Sequence, residues 1–181
     1  MKDGRYLGAD PGIKNFAYAI IEVENGEPKF VVCGRFPNLA KNNAQMLNHI
    51  KEGMTSTIKN NNVISAGFEE VMFGRNRSSA MSTAKSIGAL EMACAELDIE
   101  CSGITASSLK KQISGNGRAS KDEMKIAVHE RLIDKIDTEI EQWEKSAPEN
   151  DTRHPFWKKS QLENADDHCI DAVAVALWLT M

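Results

Sequence analysis

Apolar positions along the chain follow two periods. Extended runs come first: Tyr6-Leu7-Gly8-Ala9, then Phe16 to Val23, then Lys29 to Phe36, with Pro11-Gly12 and Asn25-Gly26 as the turns between them. They predict a three-stranded meander. From Asn42 to Asn60 the spacing becomes helical, with Met46, Leu47, Ile50, Met54 and Ile58 on one face. Val63 to Glu70 reads as a core strand, residues 79–97 as a helix rich in Ala, Ser and Gly, and Glu100 to Thr105 as a short fifth strand. Ser107 to Ile113 predicts a brief helix, and Ser120-Lys121-Asp122-Glu123 is a capping box for a further helix through Met124, Ala127, Val128, Leu132 and Ile136. Asp137 to Leu162 has no clean period and is expected to be an irregular insertion, with a short helix at most. Asn164 is positioned to cap a last helix running from Ala165 through Trp178. Strands alternating with helices in this order define an α/β chain: a five-stranded mixed sheet flanked by helices.

At 181 residues the chain fits one domain, and 41% hydrophobic with 27% charged residues is ordinary for a globular protein. No run approaches a membrane span, and the N-terminus leads straight into a strand, so no membrane or export signal is expected and the location read is cytoplasmic. Cys33, Cys94, Cys101 and Cys169 lack CxxC spacing, which argues against a zinc site and for reduced thiols. A net charge of -4 excludes nucleic-acid coating through bulk charge. Cations nevertheless cluster at Arg75-Asn76-Arg77, at Lys110-Lys111 and from Arg118 through Lys121 to Lys125, enough for one basic face. The Gly115-Asn116-Gly117 turn brings amides and cations together as a phosphate backbone requires. In the loop from Val71 to Ser79, Met72 and Phe73 stand beside Arg75, an exposed apolar pair that something must cover.

The candidate chemistry lies in the acids. Asp10 ends the first strand at a Pro-Gly turn, and Glu69 ends a second core strand. Such rigid carboxylates suit a divalent cation or a phosphate-cradling loop, and the plain alternative for Asp10 is a turn cap. An actin-like kinase would need a much longer chain. On the last helix His168 and Asp171 share a face, with Asp167 one turn before Asp171, whereas Asp166 points elsewhere and suits the helix dipole. Asp171 interrupts an apolar stripe, where a lone ionised group is costly without a partner or an ion.

Taken in order, these motifs resemble the RuvC family of Holliday-junction resolvases. Leu7-Gly8-Ala9-Asp10-Pro11-Gly12 matches the family's opening motif, Phe68-Glu69-Glu70-Val71 its second acid, Lys110 and Lys121 its two basic positions, and His168-Cys169-Ile170-Asp171-Ala172 its closing motif in a variant with His at the third acid position. The resemblance implies a ribonuclease H-like fold and metal-dependent hydrolysis of branched DNA by a homodimer. It implies two Mg2+ ions, with Mn2+ as the alternative that a His ligand favours. Asp10, Glu69, His168 and Asp171 would be the ligands, Asp167 a further candidate, and Lys110 and Lys121 the catalytic cations. Met72 or Phe73 would be a wedge at the crossover, and Arg75, Asn76, Arg77, Lys85, Lys110, Lys111, Arg118, Lys121 and Lys125 would contact DNA. The small-residue helix 79–97 would be the dimer seam, and a branch-migration motor is a partner on which the residues are silent. The rival readings are a ribonuclease H-like nuclease for forks, flaps or RNA-DNA hybrids, and a junction-binding protein without turnover.

Overall fold

The computed structural model describes residues 2–37, 40–71, 77–146 and 155–181. Its central strand is β1 (Gly4–Pro11), flanked by β2 (Phe16–Glu24) and, beyond it, β3 (Glu27–Arg35). All three run antiparallel as the expected meander. Asn25 and Gly26 both have positive φ (54° and 77°), the backbone a two-residue hairpin needs. On the other side β4 (Val63–Glu69) pairs parallel to β1, and β5 (Glu100–Ile104) parallel to β4, so the sheet order is β3-β2-β1-β4-β5.

Helices α1 (Asn43–Asn61) and α2 (Arg77–Ala95) cover one face, packing on Leu7, Ala9, Ile20, Ala66 and Phe68. The opposite face, with Ala17, Ala19, Ile21 and Phe30, is covered by α3 (Ala106–Ser114), α4 (Lys121–Ser146), α5 (Phe156–Glu163) and α6 (Asp167–Trp178). The all-round apolar sequence of α6 is explained by its place, since Cys169, Ile170 and Ala172 through Leu177 are all buried.

Three expectations need correction. The stretch 137–162 is not irregular throughout: α4 continues through Ser146 and α5 forms a second helix, while residues 147–154 lie outside those described. The C-terminal half of α4 offers the core a narrow stripe, the buried Ile136 and the partly buried Ile140, and is tied to α5 by the ion pairs Lys158–Glu139 at 2.8 Å and Lys159–Asp137 at 2.6 Å. The cap of α6 is Asp166, whose carboxylate accepts from the Cys169 amide at 3.0 Å; Asn164 instead closes α5. Helix α2 begins at Arg77, inside the stretch expected to be loop. The capping box at Ser120 and Glu123 forms as expected, each side chain accepting from the other's amide, at 3.2 and 2.6 Å.

Candidate active site

Because β1 and β4 are parallel neighbours, their C-terminal ends emerge at one sheet edge, beside the point where β1 changes from a parallel to an antiparallel neighbour. That is where open α/β sheets place their clefts. The β1–β4 register runs to Ala9–Phe68, and both of these side chains enter the core under α1 and α2. Strand alternation therefore turns the following residues, Asp10 and Glu69, to the opposite face, the one that α6 covers.

Gly8 sets the distance between that face and α6. A Cβ at this position would lie 2.2 Å from the carbonyl oxygen of Ala172 and 2.2 Å from the amide nitrogen of Ala176, so the helix backbone rests on the strand where a side chain would otherwise stand. With Ala172 seated over Gly8, the residue one turn earlier, His168, is brought over Asp10, and its Nδ1 lies 2.6 Å from Asp10 Oδ2. Asp171 is on the same helix face.

The carboxylates feel one another's charge. Glu69 is pushed from 4.5 up to about 7, first by burial and then by the charges of Asp171 and Asp10, with the Lys110 ammonium opposing. Asp171 is pushed from 3.8 up to about 6 by burial and by Asp10, against Lys121 and His168. Lys121 is the nearby exposed cation, its Nζ donating to Asp167 Oδ2 at 2.7 Å. Lys110 Nζ donates to the carbonyl of Ala119 at 2.7 Å, tying α3 to the entry of α4.

Among the described residues no three His, Cys, Asp or Glu side chains stand in a geometry that already grips an ion. The donor set nevertheless fits a divalent cation. Buried carboxylates that raise one another's pKa carry repulsion that a cation relieves.

The structure thus brings together Asp10, Glu69, His168 and Asp171, with Asp167, Lys110 and Lys121 at the margin. Lys111 and Arg118 are exposed on α3 and the turn after it, and Lys125 is half-buried one turn along α4 from Lys121. Arg77 is the exposed first residue of α2. Lys85 is not brought to the carboxylates; it lines a groove between α1 and α2. Met72, Phe73, Arg75 and Asn76 lie outside the described residues.

Two positioning residues escaped the sequence reading. Gly8 was part of a motif but carried no stated task. Arg35 at the end of β3 forms an ion pair with Asp166 at 3.1 Å and so fixes the N-terminus of α6. No local signal joins residues so distant in the chain.

A mixed five-stranded sheet whose two central strands end in carboxylates beneath a closing helix defines the ribonuclease H-like class. Comparison with known proteins narrows this. The family described as "Crossover junction endodeoxyribonuclease RuvC" matches residues 6–146, ending where α4 ends. The RuvC protein of Lawsonia intracellularis is 29% identical over 136 residues, covering 75% of this chain and 81% of that protein. The RuvC of Clostridioides difficile is 32% identical over 123 residues, 67% of this chain and 73% of that one. Among solved structures, T. thermophilus RuvC in complex with a Holliday junction substrate superposes with a TM-score of 0.73 at 19% identity, covering 96% of this chain and 91% of that one. The yeast mitochondrial resolvase Ydc2 superposes with a TM-score of 0.61 at 12% identity, over 98% and 79% of the two chains. The chain belongs to the RuvC family of crossover junction endodeoxyribonucleases.

Proposed function

We propose that this protein resolves four-way DNA junctions in the cytoplasm of a bacterium or of a phage-infected host, as a single ribonuclease H-like domain that pairs into a symmetric dimer and hydrolyses one phosphodiester in each of two strands. The observation that carries this reading is the placement of Asp10 and Glu69 on the ends of adjacent strands beneath the helix that carries His168 and Asp171, with His168 Nδ1 2.6 Å from Asp10 Oδ2. Membership of the RuvC family supports branched DNA as the substrate.

Asp10, Glu69, His168 and Asp171 would hold two divalent cations, with Asp167 as a further donor. Oxygen donors favour Mg2+, and the imidazole makes Mn2+ an effective alternative. Bound there, the cations supply Lewis acidity for an attacking water and for the departing 3' oxygen. The protein's own residues do the rest. Asp10 and Glu69 hold their carboxylates on rigid strand ends, and Glu69 and Asp171 must shed their protons before they can serve. Lys121 and Lys110 bring positive charge to the scissile phosphate, where charge accumulates as it is attacked. A wedge from Met72 or Phe73 would open the crossover, and Arg75, Asn76, Arg77, Lys111, Arg118 and Lys125 would hold its arms.

Paired cutting needs two sites related by a two-fold axis, and one face of α2 supports the pairing. Met81 and Met92 are 55% and 60% exposed, and with Lys85 and Gly88 they fall at helical spacing along one stripe. A Cβ on Gly88 would meet nothing within 4 Å, and the stripe borders an open groove of about 710 Å³ against α1. Incubating the protein with four-way junction, fork, RNA-DNA hybrid and plain duplex in Mg2+ tests substrate choice. Preferred cutting of the junction is expected; equal or better cutting of the fork or hybrid would assign it to another nuclease activity of the same fold.

A further inference from the structure

The turn between β1 and β2 has no assigned role, yet its tip separates two cavities next to the carboxylate site. One, of about 410 Å³, is walled by the turn, by Ser78, Ser82 and Thr83 on the first turns of α2, and by His168. The other, also about 410 Å³, lies on the far side of the same turn against Arg35 and Phe36. Both are lined by Lys14 and Asn15, and both fall in the size range of pockets that take nucleotide-sized ligands. Among the described residues neither lining includes a carboxylate, and each presents hydroxyl, amide or cationic groups. His168 lines the first of these cavities and also contacts Asp10, so the trough adjoins the carboxylates.

The two cations on the trough differ. Arg35 is engaged by Asp166 and holds α6 in place. Lys14 is exposed and has no ion-pair partner among the described residues. The turn beneath it is braced by its own backbone, with the Asn15 amide donating to the Gly12 carbonyl at 3.1 Å and the Gly12 amide to Asp10 at 3.1 Å. A cation without an ion-pair partner among the described residues, on a braced turn a few residues after Asp10 and beside hydroxyl groups, is suited to a backbone phosphate.

We propose that Lys14 and Asn15, with Ser82 and Thr83 across the trough, form a phosphate subsite that seats the strand being cut next to its scissile bond, so that Lys14 is a positioning residue for cleavage. This rests on the nuclease reading and adds to it a contact from the β1–β2 turn, separate from Lys110 on α3 and Lys121 on α4. The phosphate held here would fix the direction in which the strand crosses the carboxylates.

The test is a salt titration of junction binding by the full chain, in Ca2+ instead of Mg2+, using wild type, Lys14→Gln, Lys14→Arg and a control, Lys59→Gln. Lys59 lies at the end of α1 beside the start of β4, at the opposite edge of the sheet. One phosphate contact contributes about 0.9 to the slope of log affinity against log salt, and a dimer on a junction makes two, so Lys14→Gln should flatten that slope by about 1.8 and weaken binding about sixtyfold at 0.1 M salt relative to 1 M. Lys14→Arg should restore both, Lys59→Gln should change neither, and in Mg2+ the Lys14→Gln defect should appear in KM rather than kcat. A Lys14→Gln slope equal to wild type overturns the subsite while leaving the nuclease reading intact. A wild type that does not bind junction removes both.

Discussion

Asp10 Oδ2 and His168 Nδ1 lie 2.6 Å apart, a contact that ties the end of the first strand to the first turn of the last helix. It brings together two of the side chains proposed as cation ligands. Because the imidazole is the nitrogen donor in an otherwise carboxylate set, it should set the metal preference. His168→Asp is expected to lower the ratio of cleavage in Mn2+ to cleavage in Mg2+, with junction binding retained. An unchanged ratio would place His168 outside the coordination sphere.

The close approach of α6 makes Gly8 a sensitive position. In Gly8→Ala the new Cβ would collide with backbone atoms of Ala172 and Ala176, which cannot rotate away. Overpacking of this kind costs roughly 3 kcal/mol, which for a chain of this size lowers Tm by about 6–12 °C. Thermal unfolding monitored by circular dichroism checks this. Cleavage should fall more than the folded fraction does, since His168 and Asp171 move with the helix.

Glu69 and Asp171 make the metal-free protein less stable as pH rises. Their folded pKa values, about 7 and about 6, lie above the ordinary 4.5 and 3.8, so between pH 4 and 7 the folded chain binds more protons than the unfolded one. The stabilisation is complete below pH 4 and is lost through pH 7, at about 1.4 kcal/mol per unit of separation. Glu69→Gln removes one of the charges. In EDTA it should be more stable than wild type at pH 8, by roughly 2 kcal/mol, and nearly equal to it at pH 5. Millimolar Mn2+ should raise the Tm of wild type at pH 8 and leave that of Glu69→Gln nearly unchanged. A variant no more stable than wild type at pH 8 would mean that Glu69 is not strained by its neighbours.

The exposed stripe on α2 predicts a separable defect. Met92→Asp puts a charge where two apolar faces would meet. Sedimentation should show monomer, and junction cleavage should change from paired cuts to single nicks. A wild-type dimer that persists unaltered in Met92→Asp would move the seam elsewhere.

Much of this was legible in the sequence where physics is local. Alternation marked the strands, Pro11 and Gly12 marked where β1 stops, and an unbroken apolar helix interrupted by Asp171 marked a buried acid. What escaped depends on contacts between distant residues. Asn164 and Asp166 are both good caps two residues apart, and the choice of Asp166 is coupled to Arg35 on β3. The far half of α4 looks aperiodic because polar ties to α5 replace an apolar face there. The carboxylates could be ordered along the chain, but their convergence needed Gly8, whose missing side chain admits α6.

The most direct test of a shared cation site is cleavage of a mobile four-way junction by wild type and Asp10→Asn, with Mg2+ and with EDTA, resolved strand by strand. The expected result is symmetric paired nicks by wild type in Mg2+, none in EDTA, and none by Asp10→Asn although it still binds the junction. Cutting that persists in EDTA, or in Asp10→Asn at the wild-type rate, would contradict the account.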